Sequence, residues 1–589
     1  MAHRTAFLVA ATVVAFLAHG SAQQENSWRP TVIAQHGMVA AGHPLAAEAG
    51  MRILKAGGNA IDAAIATWAV QGQVEPGMTG LGADMFVLFY NAKTGEVKFI
   101  NGTGFAPALA TIDYYKSHGG MPDDGGLSVQ VPGAVGGAAM AVQKYGTKPL
   151  SEVLAPAIEM AEQGFPISEA LAGQLKQSRA KLSKFPSTMK VWFRDGKPLE
   201  MGDIVVNKDL GRTLRAIAAQ GAEPFYRGDI ARNTAQFIKA NGGIITAEDL
   251  ASYQPYEDAP VRTNYRGIDV FECPPNSQGF VLLEALNILE GFDLKQMGHN
   301  SAPYLHAIAE SLKLSFADRN TYVGDPKFVK NIPMKALLSK EYAAARRAAI
   351  DPNHAIKGEP AAGDPNRFTT STAGQIYASA QPSPTTVTHF DPNAILNLTT
   401  YLAVVDKDHN MVSVTSSLLS GFGSGMVVEG GGFFLNDRMR YFYLEPGNPN
   451  SLEPHKHVRQ TINPALALKN GKPFLVFGTP GADTQPQTEL QFFLNVVEFG
   501  MNVQEALEQP AVISNSFRDS YWPHAVLGKL MVPAMLDQKV RDELAAKGHV
   551  LDVRDSRGVG SVKGIMINPK TGALLGGVSP TGDSYVMAW

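Results

Sequence analysis

The run Thr399-Thr400-Tyr401-Leu402-Ala403-Val404-Val405, then Asp406-Lys407-Asp408-His409-Asn410, then Met411-Val412-Ser413-Val414-Thr415 decides how this chain is read. Two largely apolar stretches flank a polar break rich in Asp and Asn, the pattern of two strands joined by a turn. It predicts a β-hairpin with arms at Tyr401 to Val405 and Met411 to Thr415. Two threonines stand just before the first arm. A threonine at the start of a strand becomes a nucleophile if the chain is cut before it, because its hydroxyl then lies beside its own α-amino group, which serves as base. An α-amine titrates at about 7.7–8.0, so a useful fraction is neutral near physiological pH. That chemistry requires no histidine, metal or cofactor. An ordinary buried hairpin gives the same pattern, and the run alone does not separate the two.

Further landmarks lie on either side. Upstream are Leu54-Lys55-Ala56-Gly57-Gly58-Asn59-Ala60-Ile61-Asp62-Ala63-Ala64, Val131-Pro132-Gly133, Phe225-Tyr226-Arg227-Gly228, Asn241-Gly242-Gly243, and Ala317-Asp318-Arg319 with Gly324-Asp325-Pro326. Downstream are Gly421-Phe422-Gly423-Ser424-Gly425, Phe434-Leu435-Asn436 and Gly478-Thr479-Pro480-Gly481. In this order, from about residue 33 to the C-terminus, the set resembles the γ-glutamyltranspeptidase family of N-terminal nucleophile (Ntn) hydrolases. The resemblance implies an α/β fold, a four-layer αββα sandwich formed by two fragments of one precursor. It places a large subunit at 23–398 and a small subunit at 399–589, which begins with the nucleophile. Thr369-Thr370 and Thr385-Thr386 compete for that role, but no Val-Val-Asp-Lys-Asp hairpin follows them.

Residue roles follow from the same resemblance. Thr399 is the nucleophile of self-cleavage and of turnover, and Ser417 is the hydroxyl residue that contacts it. Gly481 and Ala482 carry the backbone donors for the oxyanion. Alanine at the second position is strained if that position needs a positive φ. The glutamyl pocket departs from the family: Thr103 stands where an arginine holds the substrate carboxylate, and Gln460-Thr461 replace a pair of serines. Leu419, Arg438 and Tyr441 stand where polar and acidic residues hold the α-ammonium. Arg438 and Arg459 are instead candidate forks for a carboxylate, though surface ion pairs explain them equally. The resemblance implies an amidohydrolase and acyltransferase for γ-glutamyl amides such as glutathione, with an amine or peptide as acceptor. The departures open a second reading, a cephalosporin-acylase-like or oxamate-amidase-like hydrolase of carboxylate-bearing acyl amides without an α-amino group. A fold-retaining, unprocessed binding protein is a third.

Composition bounds the rest. The 589 residues suffice for a large core, and a net charge of −3 with no basic run makes nucleic acid an unsuitable partner. Arg4, the apolar run Ala6 to Ala18 and the small residues Gly20-Ser21-Ala22 form the three parts of a signal peptide over residues 1–22. The run is too short to span a membrane, so export to a periplasm or the exterior is expected. With Cys273 alone, no intrachain disulfide can form. Residues 354–398, rich in Pro, Ala, Ser and Thr, read as a flexible linker ahead of the cleavage point. Helices are expected at Leu45 to Ala56 and Ala60 to Val70, with amphipathic ones at Leu282 to Leu289 and Pro303 to Phe316. Metal-binding and phosphate-loop motifs are missing from the sequence, and His455-Lys456-His457 reads as loop surface.

Overall fold

The computed structural model describes residues 27–368, 398–555, 561–580 and 582–589. The expected signal peptide at 1–22, the competing threonines and the part of the expected linker from 369 to 397 lie outside the described residues.

The expected hairpin forms, with arms Thr400–Val405 and Met411–Ser417 in antiparallel register from Thr400↔Ser416 to Val405↔Met411. It lies at the centre of a seven-stranded antiparallel sheet. The strand order there is Tyr585–Ala588, Met38–Ala41, the two arms, Asp84–Asn91, Glu96–Gly102 and Tyr256–Asp258. A second seven-stranded sheet runs Val32–Ala34, Leu574–Val578, Lys563–Ile567, Lys472–Gly478, Ala465–Lys469, Ile268–Glu272, Val261–Tyr265. Both sheets combine strands from before residue 368 with strands from after residue 398.

Side chains alternate across a strand, and here both faces of the first arm are dry. Tyr401, Ala403 and Val405 point between the sheets, against Leu466, Val476, Ile565 and Leu574 of the second. Leu402 and Val404 point the other way, into a cluster with Ala63, Ala64 and Ile65 of the helix Ala60–Val74. The outer face of the second sheet, with Val270, Ala467 and Leu475, packs on the helices Phe280–Leu289, Ala302–Tyr322 and Gln485–Val497. Helix, sheet, sheet, helix is the four-layer order that the resemblance implied.

The first helices lie at Pro44–Lys55 and Ala60–Val74. Gly57 takes up the turn between them at φ +85°, and Asn59 with Asp62 forms a capping box at the second. Two expectations need correction. The helices Phe280–Leu289 and Ala302–Tyr322 are not amphipathic. The first is buried along its whole length and the second almost so, because sheet and further helices cover every side. Residues 354–368 are not the flexible stretch that their composition suggested. Ala355 N–H donates to the Lys547 carbonyl, Gly363 N–H to Asp318, and Tyr322 Oη to the Gly363 carbonyl at 2.6 Å. These bonds dock the segment onto the buried helix Ala302–Tyr322 and onto Lys547 despite its Pro- and Gly-rich composition.

Candidate active site

Thr399 sits at the mouth of the first arm and is 2% exposed. Its Oγ1 donates to Ser417 Oγ at 3.0 Å, and Ser417 Oγ donates to the Leu398 carbonyl at 2.9 Å. Leu419 N–H donates to Ser417 Oγ at 3.0 Å, fixing the rotamer. The ladder register sets this contact, since Thr400 pairs with Ser416 and brings the next residues together. The relay ends on the carbonyl of the peptide bond that precedes Thr399. Ser417 is completely buried.

Thr399 and Thr400 open onto a cleft of ≈ 230 Å³, lined also by Glu75, Pro480, Ser561 and Lys563. Thr400 Oγ1 donates to Glu75 Oε2 at 3.0 Å and accepts from Gln71 Nε2 at 2.8 Å. Burial raises the Glu75 carboxyl, with Lys563 and the hydrogen bonds opposing it. Burial also pushes Lys563 down to about 8 against the pull of Glu75. Lys563 Nζ donates to the Ser561 carbonyl at 3.0 Å.

The strand Lys472–Gly478 delivers the turn Thr479-Pro480-Gly481-Ala482 to this cleft. A Cβ on Gly478 would lie 2.3 Å from the Tyr401 ring, so glycine is what lets this strand approach the arm carrying Thr399. Gly481 has φ +130° and Ala482 φ +51°. The second position therefore does require a positive φ, and its alanine carries strain of about 1–2 kcal/mol.

The predicted pocket residues form a sealed wall on the other side of Ser417. Asp84 pairs with Ser417 across the ladder. Its carboxylate lies 3.3 Å from Arg438 Nε and accepts from Gln460 Nε2 at 2.9 Å, Gln130 Nε2 at 2.6 Å and Gly104 N–H at 2.8 Å. Burial lifts the Asp84 carboxyl to about 6 against the opposing charge of Arg438. Arg438 is fully buried, donates from Nη2 to the Ser417 carbonyl at 3.1 Å, and lies over the Tyr441 ring. Tyr441 Oη and Thr461 Oγ1 are 2.8 Å apart, and Thr103 Oγ1 donates to Asn101 at 2.7 Å. Arg459 stands apart: it donates to Asn320 Oδ1 and the Arg319 carbonyl, within a buried network. The sequence reading missed Asp84, Gln130, Glu75 and Lys563. The one available signal was the position of Asp84 at the head of a strand beside the hairpin.

His457 corrects the loop-surface reading, for it and Lys456 are buried, and desolvation pushes the His457 imidazole down to about 4. Among the described residues, His306, Glu310 and His549 bring potential ligand atoms within 4.8 Å of one another. These groups already satisfy each other. His306 Nδ1 bonds His549 Nε2 at 2.8 Å, His306 Nε2 bonds the Asp351 carbonyl, and Glu310 pairs with Lys313 at 2.7 Å. A second cation would meet the Lys313 ammonium inside a buried site.

Residues 46–589 match the model of the family described as Gamma-glutamyltranspeptidase. The chain is 35% identical to the glutathione hydrolase proenzyme of Escherichia coli, over 95% of this chain and 92% of that protein. It is 34% identical to the acylase ACY 1 proenzyme of a Pseudomonas species, over 94% of this chain and 93% of that one. Among solved structures, the cephalosporin acylase from Bacillus halodurans superposes with a TM-score of 0.84 at 35% identity, covering 97% of this chain and 98% of the other.

Proposed function

The chain belongs to the γ-glutamyltranspeptidase family of Ntn amidohydrolases, and on that footing we propose that it is a self-processing threonine amidohydrolase and acyltransferase of γ-glutamyl-type amides, glutathione among them. The observation that carries the reading is the relay from Thr399 through Ser417 to the Leu398 carbonyl. In processing, Thr399 Oγ1 attacks that carbonyl carbon while the Ser417 hydroxyl stabilises the developing oxyanion. The acyl group moves from nitrogen to oxygen as the hydroxyl proton passes to the departing nitrogen, and water hydrolyses the ester. Leu398 leaves as a carboxylate and Thr399 gains a free α-amine. In turnover the α-amine takes the hydroxyl proton as Oγ1 attacks the substrate amide, and it returns a proton to the departing amine. The N–H groups of Gly481 and Ala482 hold the second oxyanion. Water or an acceptor amine then releases the acyl group.

Residues 23–398 and 399–589 are the two subunits in this reading, and the N-terminal segment supports export to a periplasm or the exterior. Among the described residues no helix is long and apolar enough to cross a membrane.

A specific observation favours a second substrate reading. Leu419 is buried, and the Asp84 carboxylate is engaged by Arg438 and two glutamines, so neither offers a partner to a substrate ammonium. An acyl group with a carboxylate and no α-amine, of the glutaryl type, needs no such partner, and Lys563 in the cleft offers its carboxylate an ammonium. Intact mass of the exported protein beside Thr399→Ala tests the shared mechanism. Two fragments in the wild type, the smaller starting at Thr399, with one uncut chain in the variant support it. An uncut chain in both removes the catalytic amine and favours a binding protein. Comparing kcat/KM for γ-glutamyl and glutaryl anilides then separates the substrate readings.

A further inference from the structure

Arg319, within the Ala317-Asp318-Arg319 motif, has no place in the chemistry above, yet it is fully buried and its guanidinium is used in every direction. Nη1 donates to Gln278 Oε1 at 2.6 Å and to Asp483 Oδ1. Nη2 donates to Asn320 Oδ1 at 3.0 Å and to the Arg518 carbonyl at 3.1 Å, and Nε to Asn320 Oδ1 at 3.2 Å. The plane is packed against the rings of Phe316 and Phe517, 4.6 and 5.5 Å away. Because the guanidinium only donates, it fixes which end of the Gln278 amide faces it: the oxygen must. The amide nitrogen is thereby aimed the opposite way. It donates to the Ala482 carbonyl at 3.1 Å and the Thr461 carbonyl at 2.9 Å. The Gln278 backbone N–H holds the Gln460 carbonyl at 3.0 Å. Asp483, the residue after Ala482, also accepts from Ser520, at Oδ2 from its N–H and at Oδ1 from its Oγ, each at 2.7 Å.

We propose that Arg319 and Gln278 are positioning residues that clamp the turn carrying Gly481 and Ala482, holding its strained alanine in place and fixing it relative to the wall at Gln460 and Thr461. Strain is the reason a clamp is needed. Ala482 at φ +51° would relax toward negative φ if its carbonyl and the neighbouring Asp483 were released, and its N–H would swing off the oxyanion position. The Gln278 amide and the Arg319–Asp483 ion pair grip the turn on both sides of that rotation. Arginine is required because one planar fork reaches Gln278, Asp483 and Asn320 together, which a lysine ammonium does not.

The inference rests on the reading of Thr399 as nucleophile, and Gln278→Glu tests it. Glutamate keeps an acceptor for Arg319 but cannot, when ionised, donate to the Ala482 and Thr461 carbonyls. Fragment masses and melting temperature are followed beside anilide kinetics. The expected result is a variant that still yields two fragments, since Ser417 and not the turn serves the Leu398 carbonyl. Its kcat should fall about tenfold or more, with KM held within about twofold. Ala482→Gly in the same background should recover most of the lost kcat, because glycine adopts positive φ without strain. Gln278→Met, neutral and similar in size, should behave alike and guards against a charge effect. Arg319→Lys should lower kcat in the same sense. Unchanged kcat in both Gln278 variants, a KM that rises in step, or no recovery with Ala482→Gly overturns the clamp while leaving the nucleophile reading intact. A wild type that neither self-cleaves nor turns over any amide overturns that reading, and the clamp with it.

Discussion

Two polar walls flank Thr399, and they use their charges in opposite ways. On one side Asp84, Arg438, Gln460, Gln130 and Tyr441 are sealed, and their charges are spent on one another. On the other, Glu75 and Lys563 share a cleft with Thr399, and space remains between them. The same residue types thus serve architecture on one side and remain available to a ligand on the other. An arginine near a nucleophile is therefore weak evidence for a substrate fork until its own partners are known. A buried ion pair is costly to break because the survivor is left charged and dry.

The contrast can be broken or sharpened by substitution. The largest effect is expected between the walls: Thr399→Ala should stop processing and lower anilide turnover by about 10⁴-fold or more, without unfolding the precursor. On the sealed wall, Arg438→Ala strands the Asp84 carboxylate and should cost about 3–5 kcal/mol in urea denaturation. A cost near zero would mean that Arg438 is free to serve substrate after all. The sealed wall should also show in pH. The Asp84 carboxyl titrates at about 6 in the fold and near 3.9 when unfolded. Its folded value is raised, so its contribution is full below pH of about 4 and lost as pH rises through about 6, some ~3 kcal/mol in all. Asp84→Asn lacks that contribution. The urea stability of the wild type relative to the variant should therefore decline across this window and level off above it. The smallest effect belongs to the open wall. Lys563→Gln should leave stability within about 1 kcal/mol and raise KM for carboxylate-bearing substrates by about tenfold, with kcat little changed. A large loss of stability there would make the two walls alike.

Local pattern made the first arm, its turn and the helix starts at Pro44 and Ala60 legible, because alternation, caps and glycine stops leave marks within a few residues. The arm at Thr400–Val405 and the capping box at Asn59 are such cases. Thr399 and Ser417 were legible only through resemblance, and their contact follows from a hairpin register that the turn fixes. What stayed hidden is polar and non-local. Arg319 touches Gln278 and Asp483, which lie far from it in the chain, and the Gln460 amide meets Asp84 across the molecule. No periodicity encodes such partners. Burial misled for the same reason at His457, where a charged-looking His-Lys-His stretch is folded inward. Residues 354–368 misled in the opposite sense, because proline and glycine describe backbone preference and are silent about docking.

The mixing of early and late strands in both sheets bears on the life of the protein after a cut at Thr399. Met38–Ala41 would then lie hydrogen-bonded between two strands of the other fragment, Tyr585–Ala588 and Thr400–Val405. The precursor assembles this arrangement in a first-order process, with the tether supplying an effective concentration of order mM for its two halves. A pair of fragments would have no tether. Once melted, it must recover the same interdigitation by second-order encounter, at a rate set by dilution and in competition with aggregation of exposed strands. Such a cut would leave a molecule whose persistence is governed by how slowly it opens.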